Sequence, residues 1–242
     1  MLNFEQISKK NRMNSKKLWD QEYQSKKNIA STFKGTVSRS VQFLLDYLKK
    51  HDLNLENFLD LGCGNGRNAI PLTKLGYNIV GMDISKVAVK QGVELAQKEC
   101  SQQPVFIVGS MAESLPFRAA EFDVVMDITS FDILINQKEI ECHKNETHRV
   151  LKPDGLFLYY DMAKDDSYAI DRMTKSSISD QNCGVIYTPT GIPFKTRCQK
   201  DIESIFNNFK TVSSKVFRFH DKMDGEIYDR SILCMIMKKR SK

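Results

Sequence analysis

Apolar positions recur along this chain with two periods. Val37, Val41, Leu44, Leu45 and Leu48 fall at i, i+4, i+7, i+8 and i+11, the spacing of one helical face. Upstream, Leu18, Trp19 and Tyr23 predict a short helix from Lys16 to about Ala30, after a polar, frayed start over residues 1–15. Short apolar runs then take over at Phe58–Leu61, Asn78–Met82, Val105–Val108, Phe122–Ile128 and Leu156–Tyr160. Between them lie helical stretches at Asn68–Leu75, Val87–Lys98 and Lys138–Leu151, the last closed by the stop signal "KPDG". Strands alternating with helices predict a parallel sheet covered on both faces.

The end of the chain breaks this rhythm. "DIESIFNNF" reads as a helix, and "TVSSKVFRF" and "RSILCMIMKK" follow as two strands flanking the turn-rich "HDKMDGE". Two strands without an intervening helix predict a hairpin closing one edge of the sheet. The polar stretch from Asp161 to Cys198 follows the last parallel strand, so it lies over the carboxyl edge. A connection of that length is functional or carries small elements of its own. Residues 1–50 are read as a basic helical extension or lid, and 51–242 as the main domain.

Composition narrows the class. The 242 residues are 41% apolar and 27% charged, ordinary for a globular protein. No run approaches the ~18 apolar residues of a membrane span, and the N-terminus lacks the apolar core of a secretory signal. A cytoplasmic protein is expected. The six cysteines, Cys63, Cys100, Cys142, Cys183, Cys198 and Cys234, form no C-x-x-C pair, so neither a zinc site nor a disulfide framework follows. Of the net charge of +6, the first fifty residues carry 11 Lys/Arg against 4 Asp/Glu, so the body is near neutral. The basic leader is read as a solvated segment or as steering for an anionic partner.

Chemistry concentrates in "FLDLGCGNGRN", Phe58–Asn68. Gly62, Gly64 and Gly66 follow directly on a strand ending in Asp60-Leu61. In open α/β sheets ligands sit at the carboxyl ends of strands near the switch point. The spacing is G-x-G-x-G, not the G-x-G-x-x-G of a pyrophosphate-binding turn, and Asp60 would repel a pyrophosphate. An acid there fits a ligand bearing an ammonium or sulfonium. At the end of the next strand, Asp83 in "NIVGMD" stands where a carboxylate can accept both hydroxyls of a ribose.

These motifs, with "VGMDIS", "ESLPF", "FDVVMD" and "RVLKPDG", resemble the class I S-adenosylmethionine (SAM)-dependent methyltransferases, from about Phe58 to the C-terminus. The resemblance implies a three-layer α/β/α sandwich with a seven-stranded, mostly parallel sheet whose last strand is antiparallel. It implies SAM as cofactor, S-adenosylhomocysteine as product, and no metal. It places Gly62, Cys63, Gly64 and Gly66 along the methionine part, Asp60 near its amino group, Asp83 on the ribose and Ile84 on the adenine. The family usually has Asp four residues before the Leu of "ESLPF", contacting the adenine amino group. Here that position is Met111, so Met111 and Ala112 pack on the ring and the amino group needs another acceptor.

The acceptor is expected over the fourth and fifth strands. Asp127, also adjacent to the cofactor, and Asp161 are the catalytic candidates; each could serve as base, hold a cationic substrate, or cap local backbone. Ser130, Tyr160, Trp19 and Tyr23 are substrate candidates, with Asp132 a further one. Trp19 and Tyr23, in "LWDQEY", read either as a lid over the cofactor or as a staple fixing the helix. Tyr159, Tyr168, Tyr187 and Phe194 could build an apolar pocket. No histidine follows the fourth strand; His143, His148 and His51 are read as packing or linker residues, and His220 as an outside candidate. The leading expectation is methyl transfer to a small-molecule acceptor. The rivals are a nucleic-acid or protein methyltransferase, or a SAM-binding subunit without chemistry of its own.

Overall fold

The computed structural model describes residues 4–25, 37–175, 184–188, 191–223 and 225–240, with the first helix's side chains described from Ser15 onward. Cys183 and the segment 26–36, which holds the expected end of the first helix, lie outside these residues. The elements run α1 (Phe4–Ser25), α2 (Arg39–Lys50), β1 (Asn57–Leu61), α3 (Ala69–Lys74), β2 (Asn78–Asp83), α4 (Lys86–Glu99), β3 (Val105–Val108) and β4 (Phe122–Ile128). After a 3-10 turn at Phe131–Ile133 come α5 (Gln137–Val150), β5 (Leu151–Met162), α6 (Ser167–Lys175), β6 (Ile186–Tyr187), β7 (Pro193–Phe194), α7 (Gln199–Ile205), β8 (Phe209–Met223) and β9 (Glu226–Lys239).

Seven strands form one sheet in the order β3-β2-β1-β4-β5-β9-β8. β1 to β5 pair in parallel, and β9 runs antiparallel to both β5 and β8. The strands read as continuous apolar runs because both faces are buried. Phe58, Val124, Met126, Leu156 and Leu158 pack on one side with Val41, Leu44 and Leu48 of α2 and Leu72 of α3. Their alternates Leu59, Val125 and Phe157 pack on the other with Ile140 of α5 and Ile202 of α7. Strand order reverses between β1 and β4, which opens a crevice at their carboxyl ends.

Three local expectations change. α1 begins at Phe4, not Lys16; the preceding residues include Glu, Gln, Lys, Arg and Met and no Gly or Pro, so nothing breaks the helix before its apolar face. "KPDG" does not separate α5 from a later strand: β5 already starts at Leu151, which pairs with Phe122, and the register resumes at Val124 and Leu156. The four residues 152–155 bulge out, with Asp154 at φ 63. At the other end, α7 stops at Ile205 and Phe209 opens β8, whose hairpin with β9 runs through "HDKMDGE" to a turn near Gly225. The long 161–198 connection carries α6 and the β6–β7 ribbon.

Candidate functional site

β1 delivers the chain into a turn that is tied to β2, since the amides of Gly62 and Cys63 both donate to Met82 O, at 2.8 and 3.1 Å. Gly62 and Gly64 sit at φ +71° and +57°, where a side chain is strained. A Cβ on Gly62 would strike Ser130, and one on Gly64 would strike the Tyr23 hydroxyl. The glycines therefore allow α1 and the β4 loop to close directly on the backbone. Gly66, also in the left-handed region at φ +84°, faces the Phe106 ring rather than the cleft. Gly64 N donates to Asp83 Oδ2 at 2.9 Å and Ser85 N to Oδ1 at 2.8 Å, which fixes the Asp83 carboxylate at the end of β2. Burial pushes Asp83 up to about 6, against the pull of those two amides.

The turn forms one wall of a cleft of ≈ 470 Å³. Gly62, Cys63, Gly64, Asp83, Ile84, Met111, Ala112, Trp19, Tyr23 and Ser130 all line it, so the fold brings sequence positions from 19 to 130 together there. Tyr187 joins them from the β6–β7 ribbon. Tyr160 is not in the lining: it is buried in the core, its ring 6.0 Å from Phe217. Tyr159, Tyr168 and Phe194 are likewise core residues. His220 lies on the exposed hairpin beside Asp229, 2.6 Å away.

Behind the cleft wall sits a group of buried acids. Asp60, Asp127, Asp132 and Asp161 are each at most 6% exposed, and none lines the cleft. Burial, reinforced by Asp127 and Asp83, pushes Asp60 up to about 8. Burial also lifts Asp127 to about 7, although Ser130 Oγ (2.6 Å) and Phe131 N (2.8 Å) both donate to its Oδ1. Asp161 accepts from the Asp132 and Met162 amides, each at 2.9 Å; burial, then the neighbouring Asp132 carboxyl, holds it well above the usual range. His143 Nε2 stands 3.2 Å from Asp127 Oδ2 without hydrogen-bond alignment. Burial drives His143 down to about 4, so its imidazole is uncharged and the contact with Asp127 is not an ion pair.

The donor set fits one kind of ligand. Asp60 Oδ2, immediately before the glycine turn, is buried without a partner, which suits an ammonium. Arg67 lines the cleft with a buried, unpartnered Nε, which suits a carboxylate. Asp83 offers its remaining lone pairs to a diol, and Ile84, Met111 and Ala112 offer an apolar surface to a flat ring. An amino acid joined to a nucleoside meets all of these.

Residues 59–159 match a family model described as a methyltransferase domain. An uncharacterized methyltransferase of Schizosaccharomyces pombe is 37% identical over 103 residues, covering 43% of this chain and 70% of that protein. The chain belongs to the class I SAM-dependent methyltransferases. A tRNA N(3)-methylcytidine methyltransferase of the same yeast is 28% identical over 207 residues, 82% of this chain and 65% of the relative. With other curated relatives, including the tRNA enzyme, the chain spans between 31% and 66% of their length. In fold, the chain is similar to the Burkholderia thailandensis 1,6-didemethyltoxoflavin-N1-methyltransferase, solved with that compound and S-adenosylhomocysteine, at TM-score 0.69 and 14% identity over 100% of this chain and 92% of that one.

The cofactor of this methyltransferase is thus SAM, and its cleft holds residues that the sequence reading passed over. Arg67 carries a signal in hindsight, a cation placed directly after the glycines. Leu18, Ile133, Leu134, Ile135 and Pro193 also line the cleft, although they read in sequence as ordinary apolar positions. Glu139 and Asn136, at the start of α5, complete the lining from an element that shows only helical periodicity. Among the described residues no group of His, Cys, Asp and Glu could hold a metal ion, and no helix is long and apolar enough to cross a membrane.

Proposed function

We propose that this methyltransferase transfers the SAM methyl group to a small, largely apolar acceptor by in-line displacement. The carrying observation is the make-up of the cleft: Leu18 and Trp19 of α1, Ile133–Ile135 after β4, and Tyr187 and Pro193 of the ribbon all line it with apolar or aromatic side chains. Its ≈ 470 Å³ lies within the about 300–1,000 Å³ of small-molecule sites. SAM, when bound, supplies an electrophilic methyl on a sulfonium, so the protein's task is to position the acceptor and exclude water.

In this reading Asp83 holds the ribose hydroxyls, Asp60 acts on the ammonium from behind the glycine turn, Arg67 holds the carboxylate, and Gly62 and Gly64 let the chain approach the methionyl stem. Helix α1 is the lid, while α2 belongs to the layer packed on the sheet. Asp127 and Asp161 act from behind the wall: Asp127 holds Ser130 and Phe131, and Asp161 holds the Asp132 amide, so the two fix the loop that shapes the acceptor chamber. Both are positioning residues here. The described cysteines are all free thiols, which supports a reducing compartment such as the cytoplasm.

A nucleic-acid acceptor is the second reading, favoured by the excess of basic residues in the first fifty positions and by the similarity to a tRNA methyltransferase. Incubation with methyl-labelled SAM and a cell extract separated into small molecules, RNA and protein decides between the two. The proposal expects label in the small-molecule fraction. Label confined to RNA or protein would contradict it.

A further inference from the structure

The loop from β4 to α5 is held at both ends, by different groups. At its start, Asp127 Oδ1 accepts from Ser130 Oγ and Phe131 N, and Ser130 Oγ also stands 2.9 Å from Leu61 O, beside the glycine turn. At its far end, Arg197 Nη2 donates to Leu134 O at 2.6 Å, across 63 positions of chain. Arg197 lies between the β6–β7 ribbon and α7, and its Nη1 donates to Lys195 O at 3.2 Å. Lys195 N in turn donates to Asp132 O at 2.9 Å. One guanidinium therefore ties the loop to the chain leaving the ribbon.

The two ends serve different parts of the cleft. Ser130 packs against Gly62 of the glycine turn, the end assigned above to the cofactor. The far end supplies Ile133, Leu134 and Ile135 to the lining, and the ribbon supplies Tyr187 and Pro193, which pair in register. Arg197 itself lies outside the lining. It is 3% exposed, with its guanidinium 4.7 Å from the centroid of the Phe131 ring. Burial raises the neighbouring Asp132 carboxyl, and the Arg197 charge pulls it the other way. Arginine suits this place because its planar fork meets two carbonyls while its face stacks on a ring. A lysine keeps the charge but loses the fork and the stack.

We propose that Arg197 is the positioning residue of the acceptor chamber: by fixing Leu134 to the ribbon, it sets how tightly the methyl acceptor is held while touching neither acceptor nor cofactor. Asp127 holds the cofactor side of the loop independently, so SAM binding does not depend on Arg197. This deepens the small-molecule reading above and rests on it.

The test compares wild type, Arg197→Lys and Arg197→Met in two measurements. The first is isothermal titration with SAM. The second is the initial rate of transfer from methyl-labelled SAM into the small-molecule fraction of a cell extract, over a dilution series of that fraction. The series gives a relative half-saturating concentration and a maximal rate. Arg197→Lys is expected to bind SAM as wild type does, yet to need roughly tenfold more of the fraction for half-saturation, because a buried carbonyl loses its donor and the chamber wall loosens. Its maximal rate stays close to that of wild type. Arg197→Met shifts further and melts at lower temperature, since it also strips the buried Asp132 of its cation. The lysine variant, which keeps that charge, separates the two effects. Unchanged half-saturation in Arg197→Lys overturns the proposal. So does a matching loss of SAM affinity, which would make Arg197 a general support of the fold. If wild type puts no label into the small-molecule fraction, the acceptor reading fails, and this inference with it.

Discussion

Asp20 Oδ1 accepts a hydrogen bond from Ser85 Oγ at 2.6 Å, joining α1 to the start of α4 across 65 residues of chain. The same oxygen accepts from Val87 N at 3.2 Å, and Gln91 Nε2 donates to Tyr23 O at 3.1 Å. Ser85 also caps α4, and its amide holds Asp83. One short segment thus anchors both the helix over the cleft and the carboxylate within it.

Asp20→Ala removes that anchor without substituting any residue that lines the cleft. A hydrogen bond to a charged group contributes about 1.5–3 kcal/mol. The variant should release SAM roughly tenfold faster or more. Trp19, the one tryptophan of the chain, lines the cleft and reports the rate by stopped-flow fluorescence. An unchanged dissociation rate would remove α1 from the role of lid.

Gly64→Ala meets two obstacles, a backbone at φ +57° and the Tyr23 hydroxyl. The backbone alone costs about 1–2 kcal/mol. Urea denaturation should show at least that loss, with a shift in Trp19 emission as α1 is displaced. Adding Tyr23→Ala should restore the emission but not the backbone cost. A Gly64→Ala protein with wild-type stability and emission would contradict the close approach of α1 to this turn.

Stability should fall as pH rises from about 6.5 to 8. Asp127 and Asp60, raised to about 7 and 8 in the folded chain, hold protons there that the unfolded chain has released. Their contribution is complete below the ordinary carboxylate range and is lost as pH passes the folded values. His143, lowered to about 4, opposes this trend only between about 4 and its unfolded value near 6.5. Melting temperatures across this window test the sign, and Asp60→Asn should flatten the decline. A wild-type curve that rises from pH 6.5 to 8 would show these acids ionised in the folded state.

Much of this architecture was legible in the sequence because the strands of a doubly covered sheet are short apolar runs and the helices between them are periodic. Phe58–Leu61 and Phe122–Ile128 are as clear in sequence as in space. The bulge at residues 152–155 was not legible: Pro and Gly mark a helix stop and a strand bulge alike, and only pairing with Phe122 distinguishes them. The glycine turn and Asp83 could be placed because the turn needs residues that tolerate positive φ beside a strand-end acid. Asp127 and Asp161 share the strand-end position, yet their carboxylates serve amides behind the wall. The sequence contains no sign of which way such a side chain turns. Glu139 was hidden for a related reason: its place in the cleft follows from how α5 packs on the loop after β3, a long-range relationship that helical periodicity does not carry.

The central claim is that SAM binds in the cleft between the glycine turn and α1 with Asp83 on its ribose. Isothermal titration of SAM into wild type and Asp83→Ala, with thermal unfolding of both, tests it most directly. The account predicts saturable one-to-one binding to wild type, weakened about tenfold or more in a variant that still unfolds cooperatively. Equal affinity in the two proteins would contradict it.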